Sequence, residues 1–358
     1  MTSFSASYQG RRVLLTGHTG FKGSWLAAWL TELGAEVVGF SLPSDVEGAA
    51  PHWDALNLAV TDVRGDIRDF AALQRVVAEQ RPEIVFHLAA QSLVRPSYRQ
   101  PLEAWSSNVL GTANILEACR VSPGVAAVLV VTTDKVYANR EWPYGYRECD
   151  ELAGHDPYSA SKAATELLCD SYRKSFWQES GPLLATARAG NVIGGGDWAE
   201  DRLIPDLVRA LQAGKALQIR SPSSTRPWQH VLECLSGYLL LGQRLLQGDC
   251  GCAGAWNFGP ATEANRSVAE ILTALREYWP DLTWQAGEGD GLHEARLLYL
   301  DSAKAHSDLR WRPVWSLPTT LQMTAEWYRR NVERGEACTR EQLLRYIDAA
   351  RQAGCVWA

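Results

Sequence analysis

A tyrosine and a lysine four residues apart, in Tyr158-Ser159-Ala160-Ser161-Lys162, fall on one face of a helix, where the ammonium can lower the phenol's pKa. A phenolate supported in this way can take a hydroxyl proton while hydride leaves the same carbon. Upstream, Thr133-Asp134-Lys135 sets a hydroxyl, a carboxylate and an amine directly after the apolar run Val128 to Thr132. Three polar groups at the end of a buried strand are costly without a task. Thr133 suits a hydrogen bond to the reacting oxygen. Asp134 and Lys135 exceed what a simple dehydrogenase needs and read as acid and base for an elimination that follows oxidation. Asp134 can protonate a departing hydroxyl if burial raises its pKa. Lys135 is either a base kept neutral by desolvation or a cation that stabilises an enolate.

Hydride needs an acceptor, and the chain carries a cradle for one. Thr16-Gly17-His18-Thr19-Gly20-Phe21-Lys22-Gly23 follows the apolar run Val13-Leu14-Leu15 and opens a helical pattern from Ser24 to Leu33. In this strand–turn–helix context, glycines let the backbone approach a pyrophosphate, and the helix N-terminus offers free N–H groups. Lys162 would then also hold the nicotinamide ribose. The second strand ends Gly39-Phe40-Ser41-Leu42, without the acidic residue expected to bind the adenosine ribose, and Ser41 is its substitute. No arginine or lysine lies nearby to meet a 2′-phosphate, which favours NAD over NADP.

The elements that must position these groups alternate. Apolar runs at 13–15, 36–40, 60–64, 84–88, 128–132 and 184–187 are separated by helical patterns at 24–33, 70–79, 101–120 and 157–179. That alternation predicts an α/β fold with a doubly wound parallel sheet of Rossmann type. Beyond residue 190 the pattern loosens into loops such as Gly194-Gly195-Gly196-Asp197-Trp198, predicting a smaller, discontinuous C-terminal lobe. The expected division is a cofactor-binding part at 1–190, rejoined by 229–256 through the helix near Val231 to Leu246, and a substrate lobe from 191–228 and 257–358.

Composition narrows the class. With 46% apolar and 21% charged residues the chain reads as an ordinary globular protein, and a net charge of −6 argues against nucleic-acid or membrane-surface partners. No apolar run approaches a membrane span and Met1 to Gly10 is polar, so a cytoplasmic location is expected. The eight cysteines form no Cys-x-x-Cys, and Cys250-Gly251-Cys252 has no histidine nearby. Free thiols are therefore expected, with no metal site. The fifteen tryptophans suggest packing, and His230 is read as structural.

The segments Gly17 to Gly23, His87-Leu88-Ala89-Ala90-Gln91, Thr133 to Lys135 and Tyr158 to Lys162 together resemble the extended short-chain dehydrogenase/reductases that modify nucleotide sugars. Within that family, four further stretches resemble the branch of CDP-glucose 4,6-dehydratases. They are Thr19 to Trp25, Trp142-Pro143-Tyr144-Gly145-Tyr146-Arg147-Glu148, His155 to Lys162 and Gly190 to Trp198, with His293-Glu294-Ala295 and Trp311 continuing the likeness. Lys135 stands where the dTDP-glucose branch has glutamate. The resemblance implies bound NAD and conversion of CDP-glucose to CDP-4-keto-6-deoxyglucose plus water, in a deoxysugar route to surface polysaccharide.

It also implies roles for individual residues. Gly17, Thr19, Gly20, Phe21, Lys22 and Gly23, with Leu88, Ala89 and Ala90, would hold NAD, and Asp66-Ile67 resembles the adenine-contacting pair. Asn191, Arg226 and Arg296 resemble groups that bind the substrate's phosphates, and Arg202 is a further candidate. Gln91 and Arg95 would reach the substrate or the nicotinamide side. The long helices near 101–120 and 157–179 resemble a four-helix dimer interface, implying a homodimer or dimer of dimers. Two readings stay open beside this one: a different nucleotide-sugar dehydratase or 4-epimerase, and an NAD-sensing binding protein without turnover.

Overall fold

The computed structural model describes residues 3–42, 52–287 and 295–358, so His293 and Glu294 lie outside the described residues. Seven parallel strands form the central sheet: β1 (Arg12–Thr16), β2 (Glu36–Ser41), β3 (Thr61–Arg64), β4 (Ile84–His87), β5 (Ala127–Val131), β6 (Leu183–Ala189) and β7 (Ala255–Phe258). Their spatial order is β7-β6-β5-β4-β1-β2-β3. The chain moves outward from β1 to β3, then returns to the other side of β1 with β4, so the crevice opens between the carboxyl ends of β1 and β4.

The central strands β1, β4 and β5 read as largely apolar runs because both their faces are covered, whereas the edge strand β3, Thr61–Arg64, is polar and mostly exposed. Val13, Leu15, Ile84, Phe86, Leu129 and Ala185 point into one core, and Leu14, Val85, Val128, Val130 and Leu184 into the other. The second core is closed by α2 (Phe70–Gln80), α3 (Gly111–Val121) and α4 (Pro157–Ser175). The first is closed by α1 (Phe21–Glu32) and α6 (Val231–Leu246), with α5 (Leu203–Gln212) between them in sequence. Both α1 and α6 are apolar on nearly every side, because a further layer covers them.

That layer is α7 (Leu317–Arg334) and α8 (Thr339–Gln352), in the stretch expected to belong to the substrate lobe. Phe4, Trp29, Tyr346 and Trp357 form a stacked and edge-on aromatic cluster that ties the C-terminus to α1. Trp327 explains the middle glycine of the run after residue 193, while His230 and His52 crowd Gly194 and Gly196. A Cβ on Gly195 would sit 1.9 Å from the Trp327 ring, and Trp25 Nε1 donates to the Gly195 carbonyl at 2.8 Å. His230 caps α6 by accepting from the Leu232 N–H, its ring packed against Trp25 and Trp315.

Small sheets shape the lobe. Thr225–Pro227 pairs antiparallel with Asn265–Ser267, Leu217–Ile219 parallel with Trp284–Ala286, and Val192–Ile193 parallel with Gln229–His230. No helix among the described residues is long and apolar enough to cross a membrane.

Candidate active site

One cleft of about 1130 Å3 runs along the carboxyl edge of the sheet. Single-ligand pockets occupy roughly 300–1000 Å3, so its size suits a dinucleotide together with a second molecule. At one end β1 delivers the chain to Gly17, whose φ of +76° belongs to the left-handed region. A Cβ there would lie 2.7 Å from the Ala89 nitrogen, and one on Gly23 would lie 2.0 Å from the Gly17 carbonyl oxygen. These approaches fold the loop so tightly that α1 starts three residues earlier than the spacing suggested, with Phe21, Lys22 and Gly23 in its first turn. Gly20 is its N-cap, no side chain caps the helix, and Thr19 to Gly23 line the cleft with Leu88, Ala89 and Ala90 opposite. A pyrophosphate fits a helix start of this kind, cleared of side chains and rich in free N–H groups.

The catalytic candidates meet at the middle of the cleft. Asp156 accepts from the Ser159 N–H at 2.9 Å and Pro157 opens α4, so Tyr158 stands in the first turn with Lys162 one turn on. Both side chains are buried, and Lys162 Nζ donates to the Val131 carbonyl at 3.0 Å, at the end of β5. Burial pushes the Tyr158 phenol up to about 12, against the pull of the Thr133 hydroxyl and the Arg202 guanidinium. Burial, with Lys22 nearby, brings Lys162 down to about 8. The lysine expected to lower the phenol is thus itself weakened as a cation by the same desolvation.

After β5 the chain turns through a short 3-10 helix, Asp134–Val136. Thr133 Oγ accepts from the Lys135 N–H at 3.3 Å and donates to Asp134 Oδ1 at 3.0 Å. Asp134 is only 2% exposed, and Oδ2 has no hydrogen-bond partner among the described residues. Burial raises its pKa, while Lys135, Thr133, Arg226 and Lys22 pull the other way. Gly190 provides room here, since a Cβ would lie 3.0 Å from Oδ2 and 2.6 Å from Pro227. Lys135 is half-buried on the cleft wall. A carboxyl whose pKa burial raises, with one oxygen unengaged, can in its protonated form donate to a leaving oxygen.

Other predicted residues divide. Asn191, Arg202 and the buried Arg226 line the cleft on its lobe side, Arg202 held by Asp197 at 2.9 Å. Arg95 lies 3.5 Å from Asp201, and Gln91 is fixed by its own N–H donating to Asn108 Oδ1. Arg296 does not join them: it is exposed and absent from the cleft wall, and its backbone pairs with Thr225 and Glu141 instead.

At the far end Ser41 and Thr19 share a hydrogen bond of 2.8 Å. Asp66 lines the cleft with both oxygens engaged by Arg68, which holds its carboxyl below the usual range, and Ile67 is buried under Gly111. Arg64 stands in register with Ser41 and donates to the Leu42 carbonyl, its other nitrogen on Asp62. A cation is therefore closer to Ser41 than the sequence suggested, brought there by strand pairing.

Sequence reasoning also missed Asn108. It lies in a π-helical turn, Ser106–Leu110, that breaks the helix expected over 101–120. Its amide bonds Gln91 on β4's loop and Ser161 on α4. Only an asparagine inside a helical pattern hinted at this.

The model of the NAD dependent epimerase/dehydratase family matches residues 13–258. The chain belongs to that family. Its fold is that of an epimerase from Methanothermobacter thermautotrophicus, with a TM-score of 0.81, 26% identity, and 92% of this chain and 95% of that one covered. A dTDP-glucose 4,6-dehydratase from Bacillus anthracis str. Ames, solved in complex with NAD, shares the fold with a TM-score of 0.73 at 22% identity over 90% and 98% of the chains. In sequence, the CDP-glucose 4,6-dehydratase of Salmonella typhimurium is 45% identical over 351 residues, 96% of this chain and 98% of its own. The dTDP-glucose 4,6-dehydratase of Streptomyces antibioticus is 31% identical over 76% and 77%. NAD is thus the family's cofactor, and the glycine cradle fits it. Gly23→Ala is expected to weaken NAD binding at least tenfold by forcing the loop off Gly17 while leaving the fold intact; titration of the protein with NAD by calorimetry checks this.

Proposed function

We propose that the chain converts CDP-glucose to CDP-4-keto-6-deoxyglucose and water through oxidation at C4, elimination across C5 and C6, and reduction at C6. The observation that carries the dehydration, as opposed to epimerisation, is Asp134: a buried carboxyl whose pKa burial raises, with one oxygen lacking a hydrogen-bond partner among the described residues, beside Lys135. The choice of nucleotide follows the Salmonella relative, which matches along nearly its whole length.

When bound, NAD supplies a cationic ring that accepts hydride from C4 and gives it back at C6, so no reductant is consumed. Tyr158 takes the proton of the C4 hydroxyl, with Thr133 hydrogen-bonded to the same oxygen and Lys162 supporting the phenolate. Arg202 adds positive charge to that phenol. Asp134 gives its proton to the C6 hydroxyl as it leaves. We assign Lys135 to C5, where its amine takes the acidified proton or its cation holds the enolate. Arg226 and Asn191 bind the diphosphate, Arg202 reaching it from the start of α5, while Gln91 and Arg95 border the sugar. Ser41, Asp66 and Ile67 border the adenosine. NAD occupies the side built by 1–190 and backed by 229–256, and the sugar nucleotide the side built by 191–228 with part of 257–358.

We also propose a homodimer. Leu102 (82% exposed), Leu110 (60%), Leu167 (62%) and Phe176 (51%) lie exposed on the 101–110 helix segments and on α4 and the turn after it, which suits them to a second copy. A cytoplasmic setting is consistent with eight cysteines that form no disulfide among the described residues.

Mass spectrometry of reactions with CDP-, dTDP-, UDP- and GDP-glucose tests the activity: loss of one water from the CDP sugar alone, without net NADH, is expected, and loss from another sugar overturns the nucleotide choice. Asp134→Asn is expected to slow water loss at least a hundredfold while still allowing oxidation at C4, seen as transient NADH absorbance. Lys162 holds its proton below about pH 8 and loses it above, so kcat is expected to fall as pH rises through that value; Lys162→Arg should push the alkaline limb upward at a lower absolute rate. Leu102→Glu with Leu110→Glu should yield monomers by light scattering.

A further inference from the structure

The turn that carries Thr133, Asp134 and Lys135 is bracketed by two residues that answer to the same buried ion pair. Glu166 stands one turn beyond Lys162 on α4, and Arg188 lies on β6; each is 2% exposed. Arg188 grips Glu166 with a fork, Nε to Oε1 at 2.9 Å and one terminal nitrogen to Oε2 at 2.9 Å. The remaining carboxylate capacity is filled by Thr132, donating to Oε1 at 2.5 Å, and by Thr186, donating to Oε2 at 2.7 Å. Arg188's other terminal nitrogen donates to the Tyr137 hydroxyl at 2.8 Å, which in turn donates to Asn257 Oδ1. Thr132 immediately precedes the turn, and Tyr137 is the residue at which its 3-10 helix ends.

Burial would raise the Glu166 carboxyl, but the Arg188 charge and the hydroxyl hydrogen bonds hold it below the usual range, so the pair is ionised at neutral pH. A buried ion pair adds little net stability over apolar residues of the same shape. A fully satisfied one does fix geometry, because each partner has a single low-energy arrangement.

We propose that Glu166 and Arg188 are positioning residues for the reaction, fixing the Thr133–Asp134–Lys135 turn, through Thr132 and Tyr137, against the helix that presents Tyr158 and Lys162. The proposal rests on the roles given above to those five residues.

Thr132→Val and Tyr137→Phe each cut one tether and leave the ion pair whole. Thr186→Val removes a hydroxyl from the same carboxylate without touching the turn. The first two are expected to lower kcat about tenfold each and about a hundredfold together, the scale of an ångström-sized misplacement. KM, NAD affinity and Tm should stay close to wild type, Thr132→Ser should restore the rate, and Thr186→Val should keep kcat within about twofold. An unchanged kcat in the double variant overturns the proposal, as does a loss in Thr186→Val equal to that in Thr132→Val. A crystal structure of the double variant reads the turn directly, and a turn in its original place overturns the proposal whatever the substrate proves to be. A wild-type chain inert toward CDP-glucose but active on another sugar nucleotide would sink the substrate assignment alone, and the rates would be compared on that substrate.

Discussion

Burial of the central strands of the parallel sheet on both faces leaves the edge where the strands end as the place where polar side chains can meet a ligand. Thr133, Asp134, Asn191 and the glycine cradle all follow strands of this sheet, and α4 begins where it can bring Tyr158 and Lys162 to the same edge. The apolar layers behind them are what make the site dry. Without the packing of α1 and α6 beneath a second layer of helices, the cleft would have a solvated floor and its groups their ordinary pKa values.

Desolvation then acts on every titratable group in the same sense, toward its neutral form. It raises Tyr158 and Asp134 and lowers Lys162. For Asp134 this favours the neutral carboxyl that its proposed role as proton donor requires. For Tyr158 it opposes the proposed chemistry, and the Thr133 hydroxyl and the Arg202 charge work against it. The buried Glu166–Arg188 pair escapes neutralisation because its partners satisfy each other and neighbouring hydroxyls complete the shell.

The division into a cofactor part and a lobe is tempered by the aromatic residues. Trp327 presses on Gly195, Trp25 holds the Gly195 carbonyl, and Trp357 closes over Trp29. The C-terminal helices thus serve as a strap over α1 and the sheet behind it, and they pack on Gly195 at the cleft's edge. Four of the fifteen tryptophans, Trp25, Trp29, Trp327 and Trp357, are spent on this strap.

Strands, most helices and the cluster of Tyr158, Lys162, Thr133 and Asp134 were legible in the chain because each depends on local pattern: short apolar runs, a Pro-opened helix with an aspartate cap, a glycine turn between strand and helix. What could not be read are relations between distant segments. Arg64 reaches the end of β2 only through strand pairing, Arg296 stays exposed off the cleft wall with its backbone bonded to Thr225 and Glu141, and Asn108 turns inward at a π turn that no spacing announces. The sequence by itself determined which chemistry the chain carries, since residue types and short spacings decide that. Only the tertiary structure decided which oxygen of Asp134 stays free, how far burial shifts each proton, and which buried charges hold the turn, because those depend on desolvation and on contacts between residues far apart in the chain.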